Sequence, residues 1–180
     1  MSRVIVIQFV TLDGVVQDPD GADGSPGGGW AFRHGPAAVA GDKFHLGELM
    51  ETGALLLGRR TWEKFADLWP ARDDPFSTRM NQMRKLVVTR TVGDVSGWSN
   101  SYLAGDLEAA VAGRDRDLVV AGSLSVARAL MRQGLIDEYR LLVFPTALGR
   151  GERLFEEPAE LRLTDSEPAG PAMLLTYVPG

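Results

Sequence analysis

Along this chain, short runs rich in β-branched residues alternate with longer stretches in which apolar residues recur every three or four positions. Arg3 to Val10 is the first such run and reads as a strand covered on both faces. Ala37 to Thr52, with Leu46, Leu49 and Met50 at core-facing spacing, predicts a helix. Ala54 to Gly58 predicts a buried strand that runs directly into a helix carrying Trp62 and Phe65. The polar segment Asp73 to Arg84 is expected to be helical in its second half, and Lys85 to Thr89 to be a strand. Asp106 to Gly113 predicts a short helix, Asp117 to Ala121 a strand, and Ser123 to Met131 an amphipathic helix stopped by Gly134. Three further strands follow without intervening helices: Glu138 to Phe144, Leu161 to Ser166 and Met173 to Val178. Strands separated by helices tend to be parallel and consecutive strands antiparallel. The pattern therefore predicts a mixed sheet whose antiparallel part lies at the C-terminal end.

Composition narrows the picture. With 180 residues, 44% of them hydrophobic, the chain can bury one substantial core, and a single domain over 1–180 is expected. The net charge of -5 argues against nucleic acid or an anionic membrane as the main partner. The absence of Cys excludes disulfides and thiolate metal sites and is compatible with a cytoplasmic protein; His34 and His45 alone cannot build a His-rich metal centre, so no metal is expected. No signal peptide or membrane segment is apparent. Residues 17–36 differ in character, with six glycines and three prolines in twenty positions, and read as a long Gly/Pro-rich mobile loop. Trp30 and Phe32 near its end suit either a lid over a flat ligand or an anchor to the core.

The chemistry concentrates at strand ends. At Gly58 a strand meets a helix start, where unpartnered N–H groups and partial positive charge stabilise an anion. Gly58 permits close backbone approach, and Arg59, Arg60 and Thr61 add donors at the same place. Either a phosphate clamp or an ordinary turn with solvated arginines fits this stretch. The pattern recurs at Gly122, Ser123 and Leu124, and two such junctions suit a ligand with several phosphates. Thr89 and Arg90 end another strand; in a parallel sheet, strand carboxyl ends share one edge, which would bring Arg90 near the ligand of Arg59. Asp13 is either a turn residue or a ligand contact at the end of the first strand. Asp42, spaced by four and seven from Leu46 and Leu49, is either an inward carboxylate seeking a donor or a first-turn acid favoured by the helix dipole.

Taken in order, Thr11-Leu-Asp-Gly14, Leu56-Leu-Gly-Arg-Arg-Thr-Trp62, Val87-Val-Thr-Arg90, Val120-Ala-Gly-Ser123 and Leu141 to Phe155 with Pro145, Leu148-Gly149 and Leu154-Phe155 carry a family resemblance. The chain resembles the dihydrofolate reductase-like superfamily and is similar to the C-terminal reductase domain of the bifunctional riboflavin-biosynthesis deaminase/reductase. That resemblance implies an α/β, three-layer fold: a mixed, mostly parallel sheet flanked by helices, binding NADPH in an extended pose. By motif position Gly58, Arg59 and Thr61, with Trp62 close by, would form the first phosphate-binding segment. Thr89 and Arg90 would surround the adenosine 2′-phosphate, and Gly122, Ser123 and Leu124 would form the second phosphate-binding turn. Asp42 lies where dihydrofolate reductases carry their ring-binding acid on the first helix. Trp30 and Phe44 are the expected substrate contacts, and homodimers are implied.

The expected function is therefore that of an NADPH-dependent reductase acting on a small heterocycle, imine or carbonyl compound, pterin-like or riboflavin-precursor-like. Asp13 or Asp42 would hold the substrate or relay a proton. The alternative is a non-catalytic nucleotide- or drug-binding protein that retains the fold and the cofactor site.

Overall fold

The computed structural model describes residues 2–180. Its strands are β1 (Val4–Thr11), β2 (Ala54–Gly58), β3 (Arg84–Val88), β4 (Ser101–Leu103), β5 (Leu118–Ala121), β6 (Glu138–Phe144), β7 (Leu161–Ala169) and β8 (Ala172–Pro179). The helices are α1 (Leu49–Thr52), α2 (Arg59–Leu68), α3 (Pro75–Gln82), α4 (Leu107–Ala112) and α5 (Leu124–Arg132), with 3₁₀ turns at Phe32–His34 and Pro36–Ala38. The sheet runs β4-β3-β2-β5-β1-β6-β8-β7. It is parallel from β4 to β5 and antiparallel where β6, β8 and β7 pair. This is the expected mixed sheet.

The chain divides into two compact units. The first comprises residues up to Val6 with Leu46–Ile136, and the second Ile7–His45 with Asp137–Gly180. In the first unit, β2 and β5 are buried except at Gly58, as parallel strands covered on both faces should be. α3 and α4 each start on an aspartate cap: Asp74 accepts the Ser77 N–H at 3.0 Å and Asp106 the Ala109 N–H at 2.7 Å. The sequence reading missed β4, which has only three residues. It is held by Lys85, a fully buried lysine on β3 whose ammonium donates to the Ser99 carbonyl at 3.0 Å and to the Asn81 carbonyl, and lies 4.1 Å over the Trp98 ring. Burial draws the Lys85 pKa down to about 7, while the two carbonyls and the indole face favour its charged form.

In the second unit, Trp30, Leu142, Phe144 and Leu174 form a core against which Phe9 and Phe44 pack. One expectation changes here. The helix expected over 37–52 is reduced to a 3₁₀ turn and the single turn α1, because Gly35, Gly41, His45 and Gly47 all have positive φ, which a right-handed helix cannot absorb. The glycine-rich stretch is an internally bonded loop built on Asp18. Its carboxylate accepts the N–H groups of Asp23 at 3.0 Å and Ser25 at 2.9 Å, and its carbonyl accepts those of Gly21 and Gly29. A side chain at Gly28 would come within 2.2 Å of that carboxylate, which accounts for a glycine there.

Candidate functional site

Because β2 and β5 are adjacent and parallel, with Ala54 opposite Leu118 and Leu55 opposite Val119, their carboxyl ends deliver Gly58 and Gly122 side by side. α2 and α5 begin there. The two junctions are bonded to each other: the Gly58 N–H donates to Ser123 Oγ at 3.0 Å, and the Ser123 N–H donates to Thr61 Oγ1 at 3.1 Å. Gly122 (φ 64°) and Ser123 (φ 40°) are both left-handed, which turns the chain sharply into α5. A Cβ at Gly58 would lie 3.3 Å from Val126, so the glycine lets the start of α5 come close.

Unlike α3 and α4, neither α2 nor α5 has a side-chain cap. The two adjacent helix starts therefore present first-turn N–H groups without a side-chain cap, the kind of group that stabilises an anion. The sequence reading gave Thr61 and Ser123 direct phosphate contacts. In the structure each hydroxyl first accepts a backbone N–H from the opposite junction, and keeps its own O–H to donate.

The surrounding cations differ in readiness. Arg59 is half-exposed and paired with Glu63, its Nη1 lying 3.1 and 3.2 Å from the two carboxylate oxygens. Arg60 and Arg90 are exposed, with no hydrogen-bond partner among the described residues. Thr89 shapes the turn that presents Arg90, its Oγ1 accepting the N–H groups of Thr91 and Val92. Trp62 is 7% exposed and donates its Nε1–H to Ser101 Oγ at 2.9 Å, so it pins α2 to β4 from within instead of facing a ligand.

The predicted substrate-side residues all lie in the second unit, in unequal roles. Trp30 is fully buried, edge-on to Phe144 at 5.6 Å with its Nε1–H on the Gln17 carbonyl, and is a core anchor instead of the expected substrate contact. Phe44 stacks on Phe9 at 5.4 Å in the same cluster. Asp42 sits in a turn and not on a helix, its carbonyl accepting the His45 N–H, which removes the basis for equating it with a first-helix acid. Asp13 closes a clamp: its carboxylate accepts the Thr11 hydroxyl at 2.6 Å and the N–H groups of Gly149 at 2.7 Å and Leu148 at 3.2 Å. Chiefly through the Thr11 bond and then that of Gly149, its pKa falls to about 2, so at neutral pH it has no proton to relay. A group missed in the sequence is His34, whose Nε2 lies 2.9 Å from Thr146 Oγ1 with its ring near Phe144. A lone histidine in a loop carries no signal of such a partner.

Two outcomes follow from this geometry. Asp13 has a folded pKa of about 2, below the unfolded value near 3.9, so its stabilising effect is complete above the unfolded value and disappears as pH falls through 2. Asp13→Asn should lower Tm at pH 7, with the gap to the parent closing between pH 5 and pH 2; a gap constant across that range would rule out an ionised clamp. Thr61→Val removes the acceptor of the Ser123 N–H and Ser123→Ala that of the Gly58 N–H, two bonds of one network, so in a double-mutant cycle the two changes should couple by about 0.5–3 kcal/mol in unfolding free energy. Additive effects would mean that the two junctions are independent.

A scan of family models matches residues 2–175 to the RibD C-terminal domain. Over 161 residues the chain is 23% identical to the uncharacterized protein YyaP of Bacillus subtilis (strain 168), covering 85% of this chain and 80% of that protein. Among solved structures it is similar to a protein from Shewanella sp. PV-4 assigned to riboflavin biosynthesis, with TM-score 0.68, 24% identity and 99% of both chains covered. A pyrimidine reductase-like protein from Corynebacterium diphtheriae shares the fold at TM-score 0.63 and 12% identity, covering 99% of this chain and 92% of that one. Acinetobacter baumannii RibD matches all of this chain at TM-score 0.62 and 16% identity, and the match spans 58% of the RibD chain. With the paired strand–glycine–helix junctions in place and the family model matching almost end to end, the chain belongs to the RibD C-terminal domain family.

Proposed function

We propose that the protein is an NADPH-dependent reductase acting on a small flat heterocycle, imine or carbonyl compound of pterin-like or riboflavin-precursor-like character. The observation that carries this reading is the convergence of two uncapped helix starts at Gly58 and Ser123, in a chain whose other two longer helices are both capped by aspartate. The donor set fits a dinucleotide. First-turn N–H groups of α2 and α5 would hold the diphosphate, joined by the hydroxyl protons of Thr61 and Ser123. Arg90 would take the 2′-phosphate, which distinguishes NADPH from NADH. When bound, NADPH supplies the hydride.

The chain's own contribution is binding and orientation. The bonded junctions hold the donors in place before any ligand arrives, which limits the ordering needed on binding. Among the substrate-side groups, Asp13 positions the 148–149 turn, and His34, with Thr146 beside it, is a side chain able to pass a proton. Family membership and the reductase-like neighbours support the reductase class. The acting form in this reading is a homodimer, an assignment supported by Leu163 (49% exposed) and Met173 (39%) on one face of the β7–β8 ladder. No helix among the described residues is long and apolar enough to cross a membrane.

The engagement of Asp13 favours a second reading, a binding protein that kept the cofactor site without the chemistry. Turnover separates the two: oxidation of NADPH in the presence of pterins, imines, quinones or flavin precursors supports the reductase, and binding without oxidation across that panel supports the binder. Both readings require Arg90→Ala to weaken NADPH about 10- to 150-fold, the worth of one charge-assisted contact, while leaving NADH affinity unchanged. Titration of both dinucleotides against parent and variant reads this directly, and equal losses would refute the 2′-phosphate assignment.

A further inference from the structure

The first unit has a second feature suited to an anion, at the opposite end of its strands. An open cavity of about 170 Å³ lies at the amino ends of β3 and β5, where Arg84 and Leu118 are the first residues. Across the five residues of β3, the carboxyl edge that leads to Arg90 is roughly 13 Å away at strand rise, so this is not an extension of the dinucleotide site. Leu86, Ala104 and Ala109 give the cavity an accessible apolar lining, and Arg84, Arg114 and Arg116 surround it together with Asp115. Three guanidinium groups against one carboxylate leave a local charge of +2, in a chain whose overall charge is -5.

The three arginines are differently committed. Arg116 is spent, its Nε and Nη2 lying 2.9 and 3.0 Å from the two oxygens of Asp115. That pairing holds the Asp115 carboxyl down at about 2. Arg114 is anchored but not exhausted: Nε donates to the Ser2 carbonyl at 3.1 Å and Nη1 to the Val111 carbonyl at 2.6 Å, with no acceptor for Nη2 among the described residues. Arg84 is open. Its guanidinium lies 4.5 Å from the centre of the Tyr102 ring, and none of its N–H groups has an acceptor among the described residues. The ring face holds the guanidinium at the cavity while its hydrogen-bonding fork remains unspent, and such a fork can take a planar anion in bidentate fashion.

Size and lining narrow the ligand. The cavity has room for more than single waters yet is smaller than the roughly 300–1,000 Å³ of sites for drug-sized ligands, which excludes a nucleotide. An inorganic anion would use the charge and waste the apolar lining. We propose that this cavity binds a small organic carboxylate, its oxygens on Arg84 and Arg114 and its apolar body against Leu86 and Ala109.

The test is a nitrogen-15 NMR titration of the full chain with benzoate, with benzamide and inorganic phosphate as parallel probes. Benzoate should give saturable shifts at Arg84 Nε and at the amides of Ala109, Ala110 and Gly113. Benzamide and phosphate should each bind at least about tenfold more weakly. Arg84→Gln should weaken benzoate by a similar factor. Arg84→Lys, which keeps the charge and loses the fork, should do so too, and provides the test if the glutamine variant does not fold. No saturable shift from benzoate, equal shifts from benzamide, phosphate binding as tightly as benzoate, or undiminished affinity in a folded Arg84 variant would each overturn the proposal.

Discussion

Two parallel strands that lie side by side, one ending at Gly58 and the other followed at once by Gly122, force two helix starts into the same small space. Here that crowding is resolved by a reciprocal pair of hydrogen bonds, Gly58 to Ser123 and Ser123 to Thr61. Each bond ties a backbone N–H of one junction to a hydroxyl of the other, so neither helix start can shift without disturbing its neighbour. The hydroxyls that might have capped the helices accept N–H groups across the junctions, and neither helix start has a side-chain cap. The same bonds thus tie the two helix starts together at this edge, and helix starts without side-chain caps are where an anion is stabilised.

The second unit is organised by anchored polar groups. Asp18 gathers the glycine-rich loop around its carboxylate, and Trp30 fastens the end of that loop into the aromatic core with Phe144. Asp13 joins the turn after β1 to the 148–149 turn, bringing together two sequence pieces that lie 135 and 136 residues apart. The separated motifs Thr11-Leu-Asp-Gly14 and Leu148-Gly149 are thus two halves of one clamp, which gives a physical reason for finding both in one chain.

Much of this could be read from the sequence where local pattern and tertiary demand agree. The buried strands at Ala54 and Asp117 and the glycine at each junction follow from patterning and helix-end chemistry, and the run of strands after Glu138 led correctly to an antiparallel end. The reading failed where one signal hid another. Leu46, Leu49 and Met50 have helical spacing, but Gly41 and Gly47 in the same stretch adopt positive φ and break the helix, and they took Asp42 off it. Trp30 in a glycine-rich loop gave no sign that it is fully buried, because burial there depends on Phe144, more than a hundred residues away. Thr61 and Ser123 were expected to be hydroxyls beside a phosphate, but that they bond across the junctions depends on β2 lying next to β5, which no local pattern encodes. The cluster of Arg84, Arg114 and Arg116 was invisible for the same reason.

The most direct test of the central claim is an amide NMR titration of the full chain with NADPH, following the first turns of α2 and α5 together. The account predicts that amides at Arg59–Thr61 and at Leu124–Val126 shift along one saturation curve with a single Kd. Shifts confined to one junction, or none at either, would contradict a shared diphosphate cradle and with it the reductase reading.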